Sequence, residues 1–346
     1  MRVLAAMSGG VDSSVAAALL VEEGHEVVGV TLRLWDNSGE VGCCSVTEID
    51  DARSVAHLLG IDHLVWTFMD DFDARVVTPY AQAHADGLTP NPCIECNRHL
   101  KFGRLLQRAT QLGFDAIATG HHARVVGGGA GRYRLVRGAD PLKDQSYVLY
   151  VLGQAELARC RFPVGAMTKA AVRAKAAALA LPTADKPDSQ DVCFVTTAGG
   201  RQALLSSRIP LHPGRVVDAA GAEVGHVDAL ELVTVGQRRG LGTGGGARRY
   251  ALSVDTVAGS VLVGEAGDLQ SESVEVGQLC WVDGPVEGRV EVQTSAHGEP
   301  AGATFDGSTV TFDTPQRRVA PGQSVVLYRG DEVLGGGIAI RVQPAS

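Results

Sequence analysis

The chain lacks long hydrophobic runs. None of its apolar stretches reaches the roughly 18 residues that a membrane-spanning helix needs, so no membrane span is expected. The N-terminal apolar stretch is short and broken by glycine and aspartate. No signal peptide is therefore expected, and the expected compartment is the cytoplasm. Positive charge is also in short supply: 31 Lys and Arg stand against 39 Asp and Glu, a formal net charge of −8. That balance counts against a general nucleic-acid binder, which carries a basic excess. Contact with nucleic acid would have to be concentrated in places such as Arg238-Arg239, Arg248-Arg249 or Arg317-Arg318, each of which reads equally as solvated surface. Cysteine is sparse, at seven residues. In a chain without a secretory signal this excludes a disulfide framework and leaves buried thiols, metal or cluster ligands, or redox catalysts.

What is present supports a multidomain globular protein. With 346 residues and 45% hydrophobic content, the chain is long enough for two or three domains with real cores. Residues 2–120 alternate apolar strand-like runs (RVLAAM, EVVGVTLRLW, IDHLVWTF, FDAIATG) with helix-like runs of about a dozen residues, the pattern of a parallel sheet covered on both faces. In such doubly wound α/β domains ligands sit beyond the carboxyl ends of the strands. Segment 154–182 is Ala-rich and reads as helical with an interruption at Pro163. Beyond about residue 205 the texture changes to short β runs separated by Gly, Asp and Pro, which suggests two small β-rich domains. The expected division is 1–203, 204–273 and 274–346.

The string Ser8-Gly9-Gly10-Val11-Asp12-Ser13-Ser14 closes the first strand and opens the first helix. Two glycines allow a tight turn and close approach of a ligand. Backbone N–H groups, Ser hydroxyls and the positive helix start then favour a phosphate. Asp12 is placed to orient the turn or to share in Mg²⁺ binding. There is no Lys, so this is not the common P-loop. The second constellation is Cys93-x-x-Cys96 in TPNPCIECNRHLKF, and the third is Cys193 in PDSQDVCF. Structural zinc would want four ligands, and a second C-x-x-C is missing. Nucleophilic or redox chemistry suits the segment better: a Cys at a helix start beside Arg98 and Lys101 is expected to have a lowered pKa, and a distant Cys can carry or resolve sulfur by thiol–disulfide exchange. Cys43-Cys44 reads as a loop pair. Cys160 and Cys280 read as core residues in a helix-like and a strand-like run.

SGGVDSS resembles the pyrophosphate loop of the ATP pyrophosphatase (PP-loop) superfamily, which cleaves ATP between its α- and β-phosphates. The order SGGVDSS, NPC-x-x-CN-x-x-LKF, ATGH-x-AR, KDQSY, DSQDVCF and a β tail with PGQSVVLY and LGGGI is similar to that of the bacterial tRNA-specific 2-thiouridylase family over nearly the whole chain. The resemblance implies ATP-dependent 2-thiolation of wobble uridine 34. The C2 oxygen would be adenylylated, a persulfide on Cys193 would supply sulfur, and Cys96 would be the partner thiol able to form a disulfide with Cys193. It implies an ATP site at Ala6, Met7, Ser8, Gly9, Gly10, Val11, Asp12 and Ser13, with Leu32 and Gly120. Asn91, Pro92 and Cys93 match the segment that touches the target base, and His121, Lys143, Asp144, Gln145 and Gln323 match tRNA-contacting positions. Its implied partners are tRNA and a persulfide-carrying sulfur donor protein, its cofactors ATP and Mg²⁺.

Two departures stand out. Many family members carry Asp where this chain has Cys93, so Cys93, Cys96 and Cys193 together also read as ligands of a [4Fe-4S] cluster with one open iron. Family members often have Arg-Tyr where this chain has Ser295-Ala296. A small-molecule PP-loop ligase is the further alternative, which would need the loop but neither Cys193 nor the β tail.

Overall fold

The computed structural model describes residues 1–35, 46–127, 131–188, 192–195, 200–244 and 248–344. Cys43 and Cys44 lie outside them. The N-terminal region is built on a five-stranded parallel sheet of β1 (Arg2–Ala6), β2 (Glu26–Arg33), β3 (Asp62–Thr67), β4 (Ala116–Ala118) and β7 (Cys160–Arg161), in the order β3-β2-β1-β4-β7. β1 pairs with β2 on one side and β4 on the other, both parallel. The strand order therefore reverses at β1/β4, where a crevice opens at the carboxyl ends. Helix α1 (Val11–Glu22) follows β1 at that point. Its VDSSVAAALL run is apolar almost all round, so it is buried between neighbours rather than laid on a surface. Val11, Ser13 to Ala18 and Leu20 are all buried. Helix α2 (Val46–Leu59) is one-sided: Glu48, Ala52, Val55 and Ala56 are its buried positions, the i, i+4, i+7, i+8 stripe of a helix covering a sheet.

The segment 154–182 is not one interrupted helix. A short helix Gln154–Arg159 stops at β7, a 3₁₀ turn Pro163–Ala166 follows, and the helix Lys169–Ala178 starts afresh from Thr168, whose side chain accepts from Ala171 N. Apolar composition alone does not distinguish a buried edge strand from a helix. Cys160 therefore lies on a strand, fully buried, and burial raises its thiol pKa.

The β-rich remainder forms two sheets. The first is β8 (Gly214–Val217), β9 (Glu223–Val227), β10 (Tyr250–Asp255) and β11 (Ser260–Gly264), ordered β10-β11-β8-β9. The second holds β12 (Gln270–Trp281), β13 (Gly288–Gln293), β14 (Ala301–Phe305), β15 (Thr309–Arg317), β16 (Ser324–Arg329) and β17 (Glu332–Pro344). β12 pairs with both β15 and β17, which curls this sheet into a barrel. The expected breaks at 203/204 and 273/274 fall inside the helix Gly200–Ser206 and inside β12.

One connection is not visible in the sequence. The hairpin of β5 (Ala123–Gly127) and β6 (Tyr133–Arg137) leaves the N-terminal region and adds to the barrel sheet through β6–β17 pairing. Around it, Tyr147 Oη donates to Ser324 O (2.8 Å), Arg137 bonds Asp144 (2.9 Å) and Gln293 (2.9 Å), and its guanidinium lies 3.8 Å from the Tyr328 ring centroid. These bonds tie the hairpin region to the barrel, with one buried Arg137 nitrogen, Nη2, left without a hydrogen-bond partner.

Candidate active site

The turn after β1 is held by its own side chains. Ser13 Oγ and Ser14 Oγ donate to Gly10 O at 3.0 and 2.9 Å, and Ser8 N donates to Ser13 Oγ at 3.1 Å. Gly9 has φ +72°, and a Cβ there would stand 2.5 Å from Glu48 O. Gly10 is the N-cap of α1 and supplies no side-chain cap. The first N–H groups of a helix have no intrahelical acceptor, so this start is left open towards an anion. Gly120, at the end of β4, owes its lack of a side chain to the same place: a Cβ would lie 2.6 Å from Ser13 N. Leu32 is buried, and Met7 is buried with its sulfur against Gly29. Neither side chain is a surface group, so a nucleotide could meet these two positions only through their backbone.

Asp12 anchors a charged network. Lys169 Nζ lies 2.7 Å from both of its oxygens, and His122 Nε2 lies 3.1 Å from Oδ1. Burial pushes the carboxyl up, but the hydrogen bonds and charge of His122 and Lys169 outweigh it and hold Asp12 below its ordinary pKa. Lys169 also pairs with Asp188 at 2.7 Å, which in turn takes Lys143 (2.8 Å) and Arg173 (2.9 Å). Lys169 lies in an Ala-rich stretch with no local signal for a partner 157 positions away, and the His121-His122 pair at the strand end does not tell which of the two meets Asp12, 110 positions before it.

The cysteine segment is built by helix capping. Asn91 is an N-cap whose side chain accepts from Cys93 N at 3.1 Å, and Pro92 takes the first helical position, where a missing N–H costs nothing. The helical run continues over Cys96–Leu105, which winds with i→i+5 bonds. Cys96 is buried in the apolar core. Cys193 is half-buried against the edge of that same cluster. Beside it, Phe194 is buried among Phe72, Tyr80 and Trp35, at ring separations of 5.4, 5.6 and 6.2 Å.

The expected thiolate at this helix start is not supported for Cys93. Its surface is open to solvent, and partial desolvation by the surrounding protein still raises its pKa against the opposing charge of Lys101. Arg98 turns to Glu95 at 3.4 Å instead. The cluster reading also fails on placement. Among the described residues no three Cys, His, Asp or Glu side chains come together as metal ligands, so Cys93, Cys96 and Cys193 do not form a cradle for a cluster.

The positions matched to tRNA contacts are largely engaged within the fold. His121 is turned inward: its Nδ1 lies 2.7 Å from Thr119 Oγ1, its ring packs on Phe102 and Phe162, and burial keeps it neutral with a pKa well below the ordinary value. Asp144 accepts from Arg137, Gly138 N and Ser146. Gln145, exposed, accepts from His122 N at 2.9 Å. Lys143, partly exposed, pairs with Asp188. Gln323 Nε2 donates to Thr89 O at 2.6 Å, and Thr89 N donates to Pro321 O at 2.8 Å. The barrel loop thus props the chain two residues before Asn91.

Comparison with known proteins agrees with this layout. Residues 1–197 match the family model described as tRNA methyl transferase HUP domain, 202–265 the tRNA methyl transferase PRC-barrel domain, and 271–339 the aminomethyltransferase beta-barrel domain. The chain is 49% identical over 357 aligned residues to the tRNA-specific 2-thiouridylase MnmA of Chloroflexus aurantiacus, covering 99% of both chains. This chain belongs to the tRNA-specific 2-thiouridylase family. Likeness of the same extent holds for the MnmA proteins of Mycobacteroides abscessus (45% identical, 99% of this chain and 100% of that one) and Herpetosiphon aurantiacus (44%, 97% of both). As in the family models, a parallel-sheet HUP domain is followed by two β-rich barrel domains. The 2-thiouridylase relatives are matched end to end, so the nucleotide turn, the cysteine segment and the barrel belong to one design rather than to a ligase that uses the turn alone.

Proposed function

We propose that this enzyme converts uridine 34 of tRNA to 2-thiouridine with ATP, in the cytoplasm. The observation that carries the reading is the uncapped start of α1, framed by Gly9, Gly10 and Gly120 at the sheet's switch point, in a chain alike to 2-thiouridylases from end to end. The O2 of the uracil attacks the α-phosphorus of ATP and pyrophosphate leaves. The open N–H groups of α1 and the hydroxyl of Ser8 hold the departing phosphates, with no lysine needed on a γ-phosphate. Mg²⁺, when bound, neutralises phosphate charge. Asp12 is the turn's own carboxylate, but both its oxygens are bonded to Lys169, so the ion would be held mainly by the substrate phosphates, with Asp12 at most sharing it. Adenylylation makes O2 a leaving group.

The terminal sulfur of a Cys193 persulfide then bonds to C2 and AMP leaves. The Cys96 thiolate attacks Cys193 Sγ. The S–S bond to the transferred sulfur breaks, C2 keeps that sulfur, and a Cys96–Cys193 disulfide remains for reduction by an external thiol. The placement of Cys96 and Cys193 on one cluster supports this exchange. Asn91, Pro92 and Cys93 meet the target base. Lys143 and Gln145, both at the surface beside the nucleotide turn, face the tRNA. A persulfide-bearing donor protein reloads Cys193. The chain up to the helix Gly200–Ser206, the stretch from that helix to β12, and the sheet from β12 onward serve as the catalytic, central and barrel units.

The test is incubation of the purified chain with ATP, Mg²⁺, a persulfide donor and unmodified tRNA, with analysis of nucleosides and nucleotides. The reading predicts 2-thiouridine with AMP and pyrophosphate in equal amounts. ADP as the nucleotide product, or no thiolated nucleoside with an active donor, would reject it.

A further inference from the structure

We propose that Asp188 and Lys169 are positioning residues that fix where Cys193 stands relative to the nucleotide turn. The inference rests on the thiolation reading for the role of Cys193, while its physical content stands on geometry alone. Lys169 is the first residue of its helix, its side chain is only 11% exposed, and its one ammonium group spans Asp12 of the nucleotide turn and Asp188 of the Cys193 segment at 2.7 Å each. Its backbone N–H is held separately by Asp140 Oδ2 at 2.9 Å, so the base of the side chain is fixed as well as its tip.

Asp188 meets three cations, from Lys143, Lys169 and Arg173. Arg173 also donates to Ala184 O (2.9 Å) and Lys186 O (3.0 Å), and Lys186 Nζ reaches Asp51 of α2 at 2.7 Å. The chain entering the Cys193 segment is therefore clamped at 184, 186 and 188. On the far side, Phe194 is clamped in its aromatic nest. Cys193 lies between an ionic and an apolar anchor, and the ionic one is joined to Asp12 through the Lys169 ammonium. Partly buried, charge-assisted hydrogen bonds of this kind are the stronger ones in a fold. Loss of one partner leaves charges without compensation, so the segment opens locally while the sheet core stays intact.

The experiment measures alkylation of individual thiols by iodoacetamide in the full-length protein, followed by peptide mass spectrometry. Cys93, with its exposed residue surface, is the internal reference, and fully buried Cys160 reports on global folding. In Asp188→Asn and Lys169→Met the Cys193-to-Cys93 rate ratio should rise about threefold or more over wild type, and Lys169→Arg should bring it back. In turnover, Asp188→Asn should lower kcat while KM for ATP stays within about twofold, because Asp12 keeps its own bonds to Lys169 and His122. A smaller rise in the alkylation ratio in both variants overturns the proposal. If Cys160 becomes reactive in Asp188→Asn, Arg173→Gln is read in its place against the same threshold. Failure of the wild type to thiolate tRNA would sink the functional reading and leave the alkylation comparison valid.

Discussion

The nucleotide turn and the Cys193 segment solve the same problem, holding a few reactive groups still, by opposite means. The turn is fixed from within: Ser8, Gly10, Ser13 and Ser14 bond one another across at most five positions, and two glycines let backbone from α2 and β4 close on it. The Cys193 segment is fixed from outside, by four side chains drawn from three separate places in the chain: Asp51 of α2, Lys143, and Lys169 with Arg173 on one helix. A site fixed by contiguous residues is stiff and readable as a string. A site fixed by remote charges can be loosened without touching the residues that react.

Substitution at the glycines should break the comparison most severely. Gly120→Val would drive a side chain into the backbone of Asp12 and Ser13 and should cost about 2–4 kcal/mol, seen as a lower melting temperature and loss of ATP binding. Phe194→Ala acts on the other region. Removing a buried aromatic ring costs up to about 3–5 kcal/mol where the site cannot collapse. Because this ring belongs to a peripheral segment, the loss should appear as local hydrogen exchange around 192–195 and a large fall in thiolation, with ATP affinity kept.

A third difference lies in pH. His84 is buried, its Nδ1–H donates to Glu231 O at 3.1 Å, and burial lowers its pKa to about 4. The fold holds it neutral, so its contribution of up to about 3 kcal/mol is complete above the unfolded pKa near 6.5 and is lost as pH falls from there towards 4. Asp188, at about 2, keeps its contribution until pH drops below the ordinary carboxylate value near 4. Acid should therefore loosen the contact between the helix Thr78–Ala85 and the central domain at a higher pH than it loosens the Cys193 clamp. Urea melts at pH 7, 5 and 3.5, with hydrogen exchange at both places, measure the order. The smallest effect is expected for Cys93→Ala. With no cluster to ligate, this variant should keep thiolation within about tenfold of wild type and its preparations should show no change in iron content.

The same contrast explains what the sequence disclosed. SGGVDSS, Cys96, Cys193 and the alternating α/β pattern were legible because each is written in neighbouring residues. The helix start was not legible: two prolines read as extended chain before the cysteine pair, whereas Asn91 caps a helix that already begins at Pro92. His121 and His122 were not separable: adjacent residues at a strand end point to opposite sides, and here His122 meets Asp12 while His121 packs on Phe102 and Phe162. Asp144 and Gln323 were singled out by family resemblance, as positions matching tRNA contacts, and no local pattern announced their partners inside the fold. In the fold they tie the N-terminal region to the barrel or prop the Asn91 loop. The β5–β6 hairpin escaped because its partner strand lies about two hundred residues on, and strand pairing at that distance has no local signature. The 154–182 region misled because alanine-rich composition favours a helix while Pro163 and the edge of the sheet decided otherwise.

The central claim is that sulfur passes from Cys193 to an adenylylated uracil. Its most direct test loads Cys193 with radiolabelled persulfide sulfur, removes the donor, and adds unmodified tRNA with ATP and Mg²⁺ for a single turnover. The account predicts that the label leaves Cys193 for 2-thiouridine only when ATP is present, and that a Cys96–Cys193 disulfide appears in matching amount. Label that stays on the protein while unlabelled 2-thiouridine forms, or full thiolation by Cys193→Ser, would contradict it.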